Sequence, residues 1–192
     1  TWGVPSILLH SKAYEYAEIL RKKGKKVVDL AFAGGLARED HIFKALALGA
    51  PYTKLVCMGR ALMIPAYLGS NIEGVLNPSA KAKVSGSWDK LPASVAELGT
   101  SAEELFAGYY DLQKKVGKNE MKNVPLGAVA FWTLADKLAA GLQQLMAGTR
   151  RFTLKSITRS DIFSANRETE RETGVPFITD AADDQAKKIL QE

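Results

Sequence analysis

The sequence has few of the residues that build disulfide frameworks and metal clusters. Cys57 is the only cysteine and the 192 residues include 2 histidines. A disulfide within the chain and a thiolate-bound metal cluster are therefore excluded, and a reducing compartment, the cytoplasm, is expected. His10 and His41 have no cysteine or carboxylate at ligand spacing, so we expect no metal site.

Long apolar runs and aromatic–basic patterns are also missing. The best candidate for a membrane span, Val124 to Met146, is interrupted by Asp136, Lys137, Gln143 and Gln144, whereas a spanning helix needs roughly 20 apolar residues. Aromatic residues make up 8% of the chain and do not alternate with basic residues as stacking platforms for nucleic acids require. We therefore predict no membrane span and no nucleic-acid partner.

The composition that remains is that of a globular protein. The chain is 46% hydrophobic and 24% charged, with a net charge of +5, which is an ordinary balance for a folded domain. The basic cluster Arg21 to Lys26 is interpreted as the charged end of a helix.

Two short apolar runs predict buried parallel strands in the first third of the chain. Val27 to Ala33 and Thr53 to Met58 each end at a glycine turn, and nearly continuous apolar runs are typical of strands covered on both faces. Apolar spacing predicts the end of a helix at Tyr14 to Lys23, a helix at Glu39 to Leu48 and the start of another helix at Ala61 to Leu68. The order of elements is that of parallel β/α units.

From Asn77 onward the pattern is mainly helical. We predict helices at Ala102 to Val116, Val124 to Leu145 and Ala181 to Leu190, the first introduced by Thr100 and Ser101 as capping residues. Leu154 to Phe163 fits either a short strand or a turn-rich helix.

The glycine turns after the two strands are the best candidate for a binding site. Gly34, Gly35 and Gly59 allow backbone N–H groups to approach an anion closely. Arg60 adds a guanidinium group at the start of a helix, where the helix dipole also favours an anion. The same residues also fit a plain structural role, with glycines closing tight loops and Arg60 as a surface charge. The residues alone leave both interpretations open.

Two segments resemble known flavin enzymes. Phe32 to Leu62 (FAGGLAREDHIFKALALGAPYTKLVCMGRAL) resembles the seventh and eighth βα units of FMN-binding (β/α)8 enzymes, which include α-hydroxyacid oxidases, type 2 isopentenyl diphosphate isomerases and glutamate synthase. Leu134 to Phe163 (LADKLAAGLQQLMAGTRRFTLKSITRSDIF) is similar to the end of the FMN domain of glutamate synthase, and Thr1 to Ser6 (TWGVPS) resembles the loop after its sixth strand.

The resemblance implies a fold and a cofactor. Residues 1–76 would be the last βα units of a (β/α)8 barrel, followed by a mainly helical extension over residues 77–192. Gly34, Gly35, Gly59 and Arg60 would hold the phosphate of FMN. Because Ala66 to Val75 contains no cysteine, the 3Fe–4S cluster of glutamate synthase itself is not expected.

The resemblance also implies an activity and a partner. The reaction would be reductive amination of 2-oxoglutarate to glutamate, with nitrogen from ammonia or glutamine. Another polypeptide or an upstream segment would supply the remaining barrel strands, and the catalytic residues would lie there. Two alternatives stay open: an FMN-dependent hydroxyacid oxidase, and a non-catalytic subunit or fragment that completes its barrel with another polypeptide. We further expect Cys57 to be a packed core thiol and Arg159 to pair with Asp161.

Overall fold

A computed structural model describes residues 3–77, 79 and 88–191 of the chain. The chain forms two compact units. The first consists of residues up to Met58 together with those from Gly141 onward, and the second of Gly59–Ala140.

The described residues are mainly helical and contain two short strands, which form one parallel sheet. The expectation that residues 1–76 are the last βα units of a (β/α)8 barrel is therefore wrong, since a barrel requires a closed sheet of many strands. In chain order the helices and strands are α1 (Ser6–Lys22), β1 (Leu30–Ala33), α2 (Glu39–Leu48), β2 (Thr53–Cys57), α3 (Arg60–Leu76), α4 (Ala93–Ala96), α5 (Ala102–Leu105), α6 (Tyr109–Val116), α7 (Lys118–Met121), α8 (Leu126–Gly148), α9 (Arg167–Thr173) and α10 (Ile178–Gln191).

The sheet of the first unit has one covered and one exposed face. Ala31 pairs with Leu55 and Ala33 with Cys57, and all four of these residues are exposed. On the other face Phe32 is 7% exposed and lies beside Val56, which packs on the core around Phe43. The prediction of strands buried on both faces is therefore wrong, and so is the prediction that Cys57 is a core thiol, because Cys57 is exposed.

Helix α2 covers the buried face of the sheet. It begins and ends at the residues that the sequence predicts, because Glu39 and Asp40 suit the positive N-terminus and Gly49 follows its last turn. Phe43, Leu46 and Ala47 from this helix form a core with Met146 and Ile157.

Two arginines make hydrogen bonds that connect separate segments of the first unit. Asp161 accepts hydrogen bonds from Arg151 Nε at 3.0 Å and from the Thr158 N–H at 2.7 Å. Arg159 donates to the carbonyl oxygens of Leu48 and Thr173 instead. The expected pairing of Arg159 with Asp161 is therefore wrong. Leu154 to Phe163, which by sequence fits either a strand or a helix, contains two 3-10 turns, Leu154–Ser156 and Arg159–Asp161.

The second unit is a helical assembly around an enclosed core. Ile72, Met121 and Val129 are 2%, 3% and 0% exposed. Helices α3 and α8 cross closely at two glycines: a Cβ atom on Gly69 would lie 2.3 Å from the Leu126 carbonyl oxygen, and one on Gly127 would lie 2.7 Å from the Ala66 carbonyl oxygen. Glu73 on α3 also accepts a hydrogen bond from the Leu126 N–H at the start of α8.

The helices of the second unit partly follow the prediction. Ser101 caps α5 in a capping box with Glu104, as expected. The single helix predicted from Ala102 to Val116 is interrupted between α5 and α6, where Gly108 precedes Tyr109. The helix predicted from Ala61 to Leu68 is longer and extends over Arg60–Leu76.

Candidate functional site

The two strands of the first unit end at the same edge of the sheet, because they are parallel and Ala33 pairs with Cys57. Gly34 and Gly35 follow β1 with φ angles of 122° and 70°, a region that residues with a side chain rarely adopt. A Cβ atom on Gly35 would have no neighbour within 4 Å. Gly35 therefore leaves open space beside the backbone, as an anion-binding turn requires, whereas a Cβ atom on Gly34 would lie 2.6 Å from Ser6 Oγ.

Gly59 and Arg60 are the first two residues of the second unit. Gly59 is the residue that precedes α3, it offers no side-chain cap, and the first turn of α3 contains no acidic residue. A Cβ atom on Gly59 would also have no neighbour within 4 Å. Because the first N–H groups of a helix lack partners within the helix, this end of a 17-residue helix presents donors and positive potential.

Arg60 is one of the residues that line an apolar cleft in the second unit. The side chain is exposed and makes no ion pair or hydrogen bond with the described residues. The cleft has a volume of about 720 Å³ and its walls include Met63, Ile64, Tyr67 and Trp88. Such a volume is in the usual range for small-molecule sites. An unpaired guanidinium beside apolar and aromatic walls suits a ligand with an anionic group and a flat apolar body.

A second cavity lies in the first unit and has a volume of about 270 Å³. It is bordered by α1, by α2 and by the Gly34–Gly35 turn, and its polar residues are Ser6, His10, His41 and Lys44, with Gly35 at its edge. Sequence reasoning missed this cavity, because it depends on two helices bringing together residues that are about 30 positions apart in the chain.

The described residues provide neither a metal cluster nor a membrane-spanning helix. Within residues 3–77, 79 and 88–191, no three side chains from His, Cys, Asp and Glu are placed to hold a metal ion. No helix in the same part of the chain has the length and apolar character needed to cross a membrane.

Comparison with known proteins adds no relative. No protein-family model, no curated protein and no solved structure matches this chain.

Proposed function

We propose that this chain binds FMN and contributes the phosphate-binding residues of an oxidoreductase similar to glutamate synthase. The observation that carries the proposal is Arg60, at the N-terminus of α3 and beside an apolar cleft, whose guanidinium has no ion pair with the described residues. The resemblance of Phe32 to Leu62 to FMN-binding enzymes favours FMN over other anionic ligands. A cytoplasmic location is part of this proposal and is supported by the single cysteine.

The residues at the start of α3 fit the phosphate end of FMN. Gly59 leaves room beside its Cα atom, so that a phosphate oxygen reaches the free N–H groups of the first helical turn. The guanidinium of Arg60 can bind two phosphate oxygens at once. The Gly34–Gly35 turn belongs to the first unit; it is proposed by itself as a phosphate-binding element and has its own test.

When bound and reduced by an external electron donor, FMN would supply the hydride for reductive amination of 2-oxoglutarate to glutamate. In this reaction the described residues bind and orient the cofactor, and their role is electrostatic. The nitrogen donor is ammonia or an amide of glutamine. The acid and base groups of the reaction are proposed to come from a further segment or another polypeptide.

The exposed sheet face supports the need for such a further segment. Ala31, Ala33, Leu55 and Cys57 form an uncovered apolar surface, although parallel sheets are normally covered on both faces. A sheet of two strands is also marginal by itself. We therefore propose that additional polypeptide covers this face in the active enzyme.

The proposal is tested by titrating the full chain with FMN and with riboflavin, which lacks the phosphate, and following flavin fluorescence anisotropy. Arg60→Ala is expected to weaken FMN binding roughly tenfold or more, since a charge-assisted hydrogen bond contributes about 1.5–3 kcal/mol, and to leave riboflavin binding unchanged. Arg60→Lys should retain part of the affinity.

Arg171→Ala is the matched control, because Arg171 is an exposed arginine in the first unit whose ion pair is with Glu172. Equal affinities for FMN and riboflavin, or an Arg60→Ala variant that binds FMN like the original chain, would contradict the proposal. Gly35→Ala tests the turn after β1 in the same assay and should weaken FMN binding and not riboflavin binding.

The alternative of a hydroxyacid oxidase keeps the cofactor and changes the substrate. The two reactions are distinguished by adding 2-hydroxyacids to the FMN-loaded assembly under anaerobic conditions. Bleaching of the flavin absorbance by a 2-hydroxyacid would favour the oxidase over the glutamate synthase-like reaction.

A further inference from the structure

The cavity of about 270 Å³ in the first unit is lined by a buried histidine that makes no hydrogen bond with the described residues. His10 is 3% exposed and its ring stacks on Phe32, with the ring centres 3.4 Å apart. Neither ring nitrogen makes a hydrogen bond with the described residues. Buried polar groups are nearly always satisfied by the protein, by water or by a ligand, and this histidine lines a cavity. The fully enclosed polar atoms that lack a partner among the described residues do not include these nitrogens, so solvent reaches them and a ligand in the cavity can replace that water.

The protonation of both histidines follows from their surroundings. Burial lowers the pKa of His10, so its ring is neutral near pH 7 and carries one N–H donor. His41 accepts a hydrogen bond from the Ala37 N–H at its Nδ1 atom, at 3.2 Å. An imidazole that accepts a hydrogen bond at Nδ1 has its N–H at Nε2. His41 thus offers its Nε2–H as a second donor.

A cation completes the set of donors. Lys44 lines the same cavity and donates to Asp40 at 2.8 Å, which leaves two of its three N–H groups for other acceptors. Arg38 also binds Asp40, at 2.9 Å, and the two cations hold the pKa of Asp40 well below its usual range. Glu39 also lies beside Arg38, so the charges of Arg38 and Lys44 are balanced by two carboxylates, and Lys44 contributes its remaining N–H donors to the cavity.

We propose that this cavity binds a small oxyanion, a carboxylate or a phosphate group, between His10, His41 and Lys44. The apolar walls around these donors include Ile7, Leu36, Ala45 and Leu48. They exclude water from the donors and thereby strengthen the charge-assisted hydrogen bonds. Gly35 lies at the edge of the cavity with open space beside its Cα atom. All of these residues belong to the first unit, so the proposal does not rest on Arg60. Gly35 is also proposed above as a contact of the FMN phosphate, and the histidine signals test the present proposal separately from flavin binding.

The test uses the imidazole signals of the full chain in ¹H–¹⁵N spectra, because His10 and His41 are its only histidines. Sodium phosphate and sodium acetate are titrated at pH 7 and constant ionic strength, with sodium chloride as the balancing salt. Saturable shifts of both histidines with phosphate or with acetate support the proposal, and the anion that produces them identifies the group. Unchanged signals with both anions would overturn it.

Two variants separate a built site from general attraction to a basic protein. Lys44→Gln should weaken anion binding about threefold, as expected for loss of an exposed ionic contact. Lys12→Gln is the matched control, since Lys12 is an exposed lysine on α1 with a similar ion pair to Glu15, and it should bind as the original chain does.

His10→Phe keeps an aromatic ring against Phe32 and removes both ring nitrogens. It should abolish the anion-dependent shift of His41, and its fold is checked by circular dichroism. If His10→Phe does not fold, the comparison of Lys44→Gln with Lys12→Gln tests the proposal by itself. An affinity that is equal in Lys44→Gln, Lys12→Gln and the original chain would overturn the proposal.

Discussion

The two units of this chain differ in how they cover their apolar residues. In the second unit the core residues Ile72 and Val129 are 2% and 0% exposed, and they are enclosed by helices of that unit. In the first unit Leu55 is 57% exposed and lies with Cys57 on the open face of the sheet. The core of the second unit is covered by residues of that unit. The sheet of the first unit has the apolar composition of a covered sheet, but none of the described residues covers its second face.

From this difference we infer that the amino-acid composition of a strand indicates the surroundings in which the strand functions. Ala31, Ala33 and Leu55 suit a covered parallel sheet, and in the part of the chain that the structure describes they face outward. We interpret them as a surface for additional polypeptide. The effects of substitutions and of pH on stability test this contrast between covered and uncovered residues.

The largest effect is expected in the core of the first unit. Phe43→Ala removes a ring that is 5% exposed and should lower the free energy of unfolding by about 3–5 kcal/mol. Phe152→Ala is the control, because Phe152 is 81% exposed, and should change it by less than about 0.5 kcal/mol. Urea unfolding measures both. Similar losses in the two variants would contradict the assigned core.

The next effect concerns the close crossing of α3 and α8 in the second unit. Gly69→Ala places a methyl group 2.3 Å from the Leu126 carbonyl oxygen and should lower the free energy of unfolding by about 1–3 kcal/mol through overpacking. Hydrogen exchange should show the loss of protection in peptides from α3 and from the first part of α8.

Gly148→Ala is the matched control for this crossing. Gly148 is the last residue of α8, and a Cβ atom there would have no neighbour within 4 Å. Alanine should therefore raise stability by up to about 1 kcal/mol through its better helix propensity. If Gly69→Ala were also neutral or stabilising, the two helices would not approach each other as closely as the structure indicates.

Neighbouring residues of β2 test the two faces of the sheet directly. Val56→Ala, on the covered face, should lower stability by about 1.5 kcal/mol for two lost methylene equivalents. Leu55→Ala, on the exposed face, removes a larger side chain and should change the stability of the chain by less than about 0.5 kcal/mol. Thermal and urea unfolding of both variants measure the contrast, and a larger loss for Leu55→Ala would show that its face is covered.

The smallest effect is a pH dependence from His10. Its pKa in the folded chain is below its ordinary value of 6.5 because burial disfavours the charged ring. The unfolded chain therefore binds a proton first as the pH falls below about 6.5. The contribution of His10 to the free energy of unfolding should be fully present above that pH. It should decrease as the pH falls toward the pKa of His10 in the folded chain. Urea unfolding between pH 7.5 and about 5 should show this slope, and His10→Phe should remove it.

Much of the secondary structure could be predicted from local signals. The bounds of α2 follow from acidic residues at its start and Gly49 after its end, and α8 begins directly after Pro125, a residue that is favoured at the start of helices. Gly108 is a local signal for the interruption between α5 and α6, although the apolar spacing from Ala102 to Val116 favours one helix.

The environment of the strands could not be predicted in the same way. An apolar run indicates that a strand prefers to be covered, but the number and position of neighbouring strands depend on contacts far along the chain. For this reason the exposure of Cys57 and Leu55 and the two-stranded sheet differ from the expectation of a barrel.

The candidate sites also include residues with a local sequence signal and residues that depend on contacts far along the chain. Gly34, Gly35 and Gly59 could be singled out because glycine at the end of a buried strand has a local conformational meaning. The cavity between His10, His41 and Lys44 could not, because its residues lie on two helices and share no spacing pattern. Arg159 also gives no sequence signal of its role, which is to bind the carbonyl oxygens of Leu48 and Thr173.

Native mass spectrometry of the full chain after incubation with FMN tests the central claim, FMN binding through its phosphate, most directly. The account predicts the 20.8 kDa chain carrying one FMN, little retention of riboflavin, and loss of the FMN adduct in Arg60→Ala with retention in Arg171→Ala. A chain that stays bare in excess FMN, or that keeps FMN equally in both variants, would contradict the account.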